Sequence, residues 1–207
     1  IIQIGINQMT NTHYPSISST FSTDWIIITN INVKGLKTQI NKLTKKSIEV
    51  NVEERSTSGG VSRQYDIFSQ IKYKAGLPTP SQKYFHYIRD EVQKALHLKF
   101  NHNFNLQYIS GWTVKGEEHT YHTLHKHNYK NKISVEKKNL EVASVVYLDV
   151  PKYDEKHSKD ANNFYCVLNN EYIKYYSYKP KIGDLIIFPI WLWHGSYPQT
   201  KGTRQTL

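Results

Sequence analysis

The sequence from residue 105 onward is a succession of short strand-like segments, and this feature constrains the fold most. Polar or glycine-containing turns separate six apolar or β-branched runs, at residues 106–114, 141–150, 163–168, 172–178, 185–189 and 203–207. Short strands at this spacing favour an antiparallel sandwich or barrel over alternating βαβ units. We therefore predict a mainly β fold with N-terminal helices: a jelly roll, or double-stranded β-helix, of the cupin-like type.

The first half of the chain predicts elements that support this sheet. An apolar run at residues 25–29 is typical of a buried strand. Residues 33–46 carry apolar side chains at helical spacing with lysines on the other face, and residues 80–97 begin with a capping Thr79 before Pro80. Both segments are predicted helices. We expect residues 1–104 to support the jelly-roll core of residues 105–207 within one structural domain, with loops at 10–24 and 53–63.

Composition excludes several classes of protein. The single cysteine, Cys166, excludes an intrachain disulfide framework and a cysteine-based zinc cluster, and it fits a reducing compartment. The longest apolar stretch, residues 185–193, falls far short of the roughly 20 residues that a membrane-spanning helix needs. No basic segment followed by an apolar one marks a signal peptide at the N-terminus. The expectation is a cytoplasmic protein without a membrane partner.

The formal net charge of +10 raises the question of nucleic acid. The lysines are spread over several segments, and no helix-turn-helix, zinc-finger or RNP-like string accompanies them. This distribution favours a general lysine-rich bias over a dedicated nucleic-acid surface. The polar segment 128–140 is predicted to be a flap beside a pocket, where its lysines could meet an acidic substrate.

Histidines form the first cluster that could carry chemistry. His119, His122, His125 and His127 fall within nine residues. In a strand, residues i and i+2 share a face, so His125 and His127 can direct two imidazoles into one space. Neutral imidazole suits iron, copper, nickel or zinc. The sequence therefore predicts a metal pair here, with His119 and His122 ranked lower because neither stands at i±2 from His125.

A second motif lies near the C-terminus. A Gly183-Asp184 turn starts the apolar run 185–189, His194 follows it, and Arg204 comes ten residues later. We expect residues 195–202 to return the chain as a hairpin, which would place Arg204 on the strand next to His194. A buried arginine needs an anion, and its planar fork fits a carboxylate.

Together these residues resemble a known family. The order H-x-H, then GDLIIFP with a following histidine, then R-x-T is similar to that of the iron(II)- and 2-oxoglutarate-dependent oxygenases, in an uncharacterised bacterial and phage-type branch. The string of residues 142–151, which ends in Tyr-Leu-Asp-Val-Pro, also resembles that branch. The resemblance covers residues 106–207.

The resemblance implies a dioxygenase that hydroxylates an unknown substrate and releases succinate and CO2. It implies that His125, His127 and His194 are the catalytic residues and the ligands of Fe(II). Arg204 would bind the distal carboxylate of 2-oxoglutarate, with the Thr206 hydroxyl as a helper. The resemblance leaves a small molecule, a protein and a nucleic acid open as the substrate.

The sequence departs from the better-known pattern at position 127. The usual facial triad has two histidines and a carboxylate, so Glu118, Asp149 or Asp154 could replace His127 if the strand register differs. Trp191 and Trp193 could line the cavity or pack at its rim. Two other functions stay open: a three-histidine, cupin-like dioxygenase that does not use 2-oxoglutarate, and a noncatalytic jelly-roll binding or structural protein with a basic surface.

Overall fold

The computed structural model describes residues 2–7, 24–45, 57–58, 62–67, 80–127, 140–153, 156, 158–169 and 173–207. Within these ranges the chain forms twelve strands and two helices. The predicted loop at 10–24 (apart from Asp24), the predicted flap and Asp154 lie outside the described residues, as does most of the predicted loop at 53–63.

Seven strands form the larger sheet. They are β1 (Ile2–Asn7), β2 (Ile27–Asn30), β4 (Ser62–Asp66), β5 (Asn105–Gly116), β7 (Leu140–Asp149), β10 (Asp184–Pro189) and β12 (Arg204–Thr206). β1 and β12 both lie between β5 and β7, at different ends of those strands; β4 pairs with the other edge of β5, and β10 and then β2 follow β7. All these pairings are antiparallel.

Five strands form the smaller sheet, in the order β3-β6-β11-β8-β9. Their bounds are β3 (Thr57–Ser58), β6 (Tyr121–His125), β8 (Phe164–Asn169), β9 (Ile173–Tyr178) and β11 (Trp193–Ser196). Two antiparallel sheets whose strands alternate along the chain make a jelly roll, so the predicted fold class is confirmed.

The two helices, α1 (Leu36–Thr44) and α2 (Pro80–Phe100), cover the outer face of the larger sheet. Strand alternation divides the apolar side chains into two cores. Val142 and Val146 of β7 pack with helix residues such as Leu36 and Ile88, whereas Ala143 and Val145 face the smaller sheet. No described helix has the length and hydrophobicity that a membrane crossing requires.

The Gly183-Asp184 turn is present as predicted, and its chemistry is visible. Gly183 has a φ of +91°, which a side chain would disfavour. The Asp184 carboxylate accepts hydrogen bonds from the Lys181 backbone N–H at 2.7 Å, the Tyr178 hydroxyl at 2.7 Å and the Asn30 amide at 3.0 Å. These contacts fix the start of β10, the strand that leads to His194.

The predicted hairpin over residues 195–202 is wrong. Gly195 and Ser196 continue β11 in the smaller sheet, and the chain then crosses to the larger sheet, where Arg204 begins β12. Gly195 is required by close packing and not by a turn, because a Cβ there would come within 2.6 Å of the Tyr165 ring. His194 and Arg204 consequently belong to opposite sheets, not to neighbouring strands.

Candidate metal centre

Three histidines meet at one end of the smaller sheet. His194 of β11 is directly opposite His125 of β6, and their ring centroids are 4.3 Å apart. His127 lies two residues beyond the end of β6, where its backbone N–H donates to the Ile190 carbonyl at 2.9 Å. Its ring centroid is 5.5 Å from that of His125 and 5.0 Å from that of His194. One nitrogen from each residue lies within 4.8 Å of the other two.

Backbone carbonyls fix the tautomers of two of these rings. His125 Nδ1 is 2.7 Å from the Thr123 carbonyl oxygen, and His194 Nδ1 is 2.8 Å from the Leu192 carbonyl oxygen. A carbonyl can only accept, so each Nδ1 carries the proton and each Nε2 keeps a lone pair. Metal-binding histidines are oriented in this way by second hydrogen bonds. His194 Nε2 is buried and has no hydrogen-bond partner among the described residues.

The surroundings of His194 and His125 disfavour the charged form of both imidazoles. Burial lowers the pKa of His194 well below its usual value of 6.5, and the neighbouring His125 and His127 lower it further. Burial also lowers the pKa of His125, against the raising effect of its bond to Thr123. Neutral rings with free lone pairs can bind a cation directly, without first losing a proton.

Aromatic side chains surround the cluster. Phe188 lies 4.5 Å from the His194 ring, centroid to centroid, and Phe164 stacks at 6.0 Å. Trp112 of β5 contacts the His127 ring edge to face, with centroids 5.6 Å apart. An apolar wall of this kind limits the access of water to a bound metal.

Arg204 approaches from the larger sheet. Its side chain is buried, and Nη2 makes one long hydrogen bond, 3.4 Å, to the Thr120 carbonyl. Nη1 has no partner among the described residues. Arg204 and His194 line the same small cavity, together with Thr206. Burial lowers the pKa of Arg204, and an arginine remains charged even so. A buried guanidinium without a counterion calls for an anionic ligand.

His122 lines the cavity, a role that the sequence pattern did not suggest; as a candidate metal ligand it ranked below His125 and His127, and it lies outside the three-histidine cluster. Ser196 pairs with His122, while His194 pairs with His125, so two residue steps on β11 match three on β6. This extra residue is a β-bulge, and it re-aims the following side chain. His122 therefore faces the same interior as His125 despite their odd spacing. No individual residue in this segment of the sequence predicts a bulge.

The other predicted alternatives occupy other places. The Asp149 carboxylate accepts from Lys37 Nζ at 2.6 Å, and Glu118 is exposed in the turn before β6. Trp193 is 44% exposed, with Lys126 Nζ 5.2 Å from its ring centroid, and Trp191 donates to Asp24. Neither tryptophan lines the cavity shared by His194 and Arg204; both pack at its rim or beyond.

The sequence comparison identifies the segment that carries these residues. Residues 110–207 match the family model described as "Putative 2OG-Fe(II) oxygenase". This segment belongs to the 2OG-Fe(II) oxygenases. It contains all three histidines of the cluster together with Arg204 and Thr206. No curated protein matches the chain by sequence.

Solved structures of oxygenases share the fold of the oxygenase segment and of the strands and helices before it. A prolyl-4-hydroxylase from Pseudomonas putida matches with a TM-score of 0.56 at 12% identity, covering 91% of this chain and 92% of its own. The viral collagen prolyl hydroxylase from Paramecium Bursaria Chlorella virus-1, solved with 2-oxoglutarate, matches with a TM-score of 0.56 at 13% identity, covering 90% and 94%. HygX from Streptomyces hygroscopicus, solved with nickel and 2-oxoglutarate, matches with a TM-score of 0.55 at 12% identity, covering 91% and 82%.

Proposed function

We propose that this oxygenase is an iron(II)- and 2-oxoglutarate-dependent hydroxylase in which His125, His127 and His194 hold the metal and Arg204 holds the cofactor. The observation that carries the proposal is the convergence of three imidazoles with a buried, incompletely bonded guanidinium inside one β-shell. Solved relatives of the same fold bind 2-oxoglutarate, and one of them also binds nickel. When bound, iron(II) and 2-oxoglutarate together supply the oxidising power that converts a substrate C–H bond and O2 into an alcohol, with succinate and CO2 released.

The donor set fits such a metal. Three nitrogen ligands on one side leave positions open for a chelating cofactor and for dioxygen, as in other non-haem iron sites. The Nδ1 bonds to Thr123 and Leu192 hold two of the rings in the orientation that presents Nε2. The protein thus supplies geometry and a largely apolar surrounding, while the cofactor supplies the chemistry.

Charge balance explains how a third histidine can replace a carboxylate. Three neutral imidazoles leave both positive charges of iron(II) uncompensated, and Arg204 adds a third. 2-Oxoglutarate carries two carboxylates, so one can neutralise the metal side while the other pairs with Arg204. We infer that the metal and the cofactor bind with positive coupling, because the positive charge of the metal and the negative charge of the cofactor would neutralise each other inside the protein.

The experiment is an anaerobic titration of the protein with iron(II) and 2-oxoglutarate, followed by visible absorption for the weak charge-transfer band of the chelate. We expect the band in wild type and its loss in His194→Ala. Succinate release in air, measured with small-molecule, peptide and nucleic-acid candidates, then identifies the substrate. If wild type shows no band and its metal affinity is unchanged by His194→Ala, the proposal is wrong.

Arg204→Ala separates the proposal from the cupin-like alternative. A three-histidine dioxygenase that does not use 2-oxoglutarate has no need of Arg204, so activity would survive its removal. Under the proposal, Arg204→Ala retains the metal and loses the cofactor.

A further inference from the structure

His122 extends the cofactor end of the cavity. It lines the same space as Arg204, Ser196 and Thr206, and its backbone N–H donates to Ser196 Oγ at 3.1 Å, which fixes the strand at this point. The Nε2 atom is buried and has no hydrogen-bond partner among the described residues. A buried polar atom left in this condition costs stability unless a ligand or water satisfies it.

Three observations separate His122 from the metal cluster. It is outside the group of three histidines whose nitrogens lie within 4.8 Å of one another. Its ring centroid is 6.2 Å from that of His125, its neighbour in the cluster. Burial lowers the pKa of His122, and among the neighbouring groups Arg204 lowers it more than any of the three histidines. His122 therefore belongs to the arginine end of the cavity.

The cavity is built to receive an anion. The described residues that line it include no carboxylate, and three of them have a buried nitrogen without a hydrogen-bond partner among the described residues: Arg204 Nη1, His122 Nε2 and, on the metal side, His194 Nε2. The cavity holds about 20 Å³, more than the roughly 10–15 Å³ that one water needs. This space suits the end of a ligand and not an entire five-carbon dicarboxylate, so the remainder of the ligand must extend toward His194, which lines the other side.

We propose that His122 is a cofactor-binding residue that donates a hydrogen bond from Nε2 to the distal carboxylate of 2-oxoglutarate, beside Arg204. This inference rests on the proposed function and deepens it, because it assigns a second protein donor to the carboxylate. The two donors come from opposite sheets, so the carboxylate links the sheets when it binds. A ligand without that carboxylate gains nothing from either residue.

The test is binding to the full-length chain loaded with nickel(II), which binds without turnover. Isothermal titration compares 2-oxoglutarate with 2-oxopentanoate, which has the same carbon count and no distal carboxylate. We expect His122→Ala to weaken 2-oxoglutarate binding by about tenfold or more, as befits a lost hydrogen bond to a charged group. Binding of 2-oxopentanoate and of nickel(II) should stay unchanged.

Two further variants test whether misfolding or a general effect of an alanine substitution in this region causes the loss of affinity. His122→Gln keeps an N–H donor at nearly the same reach, so it should restore most of the lost affinity. His119→Ala, at an exposed position in the turn before the same strand, should leave every affinity as in wild type. Rescue by glutamine shows that the loss in His122→Ala does not come from misfolding.

The outcomes separate the two proposals. If wild type binds nickel(II) and 2-oxoglutarate, and His122→Ala binds each of them with the affinity of wild type, the role of His122 is refuted and the proposed function stands. If His122→Ala loses nickel(II), or loses both oxo acids to the same extent, His122 acts on the metal and the inference is overturned. If wild type binds no 2-oxoglutarate, the proposed function fails and this inference fails with it.

Discussion

His122 and Arg204 belong to opposite sheets, yet both line the same small cavity, and each has a buried nitrogen without a hydrogen-bond partner among the described residues. Each nitrogen is buried, so the arrangement costs folding free energy unless something else binds there. The cost is typical of a ligand site, where stability is given up for affinity.

The first prediction concerns the metal. His125→Ala removes one of three ligands, and we expect nickel(II) affinity to fall more than about 100-fold, since loss of outer-shell partners alone costs about 10–100-fold. Equilibrium dialysis measures the affinity. His119→Ala is the matched control, because that side chain is 72% exposed and lies outside the cluster. Equal affinity in both variants would contradict the assignment of His125.

The second prediction concerns Arg204. Replacing it with methionine keeps much of the volume and removes a buried charge that has no counterion in the part of the chain that the structure describes. We expect the unfolding free energy of the ligand-free protein to rise by about 1–4 kcal/mol in denaturant titration, as when other buried charges are replaced by apolar groups. The same variant should lose 2-oxoglutarate binding and keep nickel(II). A less stable Arg204→Met protein would show that the guanidinium is satisfied in the ligand-free state.

The third prediction is a pH dependence at Glu141. Burial raises the pKa of this carboxyl above its usual value of 4.5, so the folded state resists an ionisation that the unfolded state accepts. The unfolding free energy should therefore fall as pH rises from about 4.5 through the folded-state pKa. Glu141→Gln removes this effect and should raise the melting temperature at pH 7, with no difference from wild type below pH 4. Thermal unfolding across this range measures it, and a constant difference at all pH values would exclude the carboxyl as its source.

The fourth prediction concerns Asp149. Its carboxylate pairs with Lys37 of α1, and both side chains are partly exposed, at 29% and 43%. Asp149→Asn should leave nickel(II) affinity unchanged and lower the unfolding free energy by no more than about 1 kcal/mol, the usual range for such pairs. A large loss of metal would instead identify Asp149 as a ligand. Lys37→Met provides the matching change on the other partner.

The sequence predicts the architecture well where periodicity is strong. Both helices and the six strands of the C-terminal half are found, with ends shifted by up to three residues. Some of the strands that were missed are short, as with β3 (Thr57–Ser58), or lie in polar segments, as with β6 (Tyr121–His125), where alternation gives no apolar signal. The existence of these strands depends on partner strands far along the chain, which a local pattern cannot show. β1 (Ile2–Asn7) was missed although its isoleucines alternate as in a strand.

The sequence likewise predicts some features of the site and not others. Residue type and spacing bring His125, His127, His194 and Arg204 to attention, and the structure places the three histidines in one cluster and Arg204 in the cavity beside it. The predicted position of Arg204 relative to His194 is wrong, because Pro198 and the small polar residues of segment 195–202 suggested a hairpin, whereas Gly195 and Ser196 continue β11. Strand alternation gave no reason to place His122 in the cavity, because alternation assumes an unbroken register and a bulge shifts the register of β6.

The bulge in β6 makes the length of this segment as important as its composition. Removing one residue between His122 and His125 would leave a regular strand, in which the side chain two positions before His125, and not three, faces the interior. Related chains that lack the bulge would carry their inward side chain one position away, so an ungapped alignment would compare a pocket residue with a surface residue. The number of residues between positions 122 and 125 thus decides which side chain faces the pocket, and a comparison that scores only residue identities would not detect this.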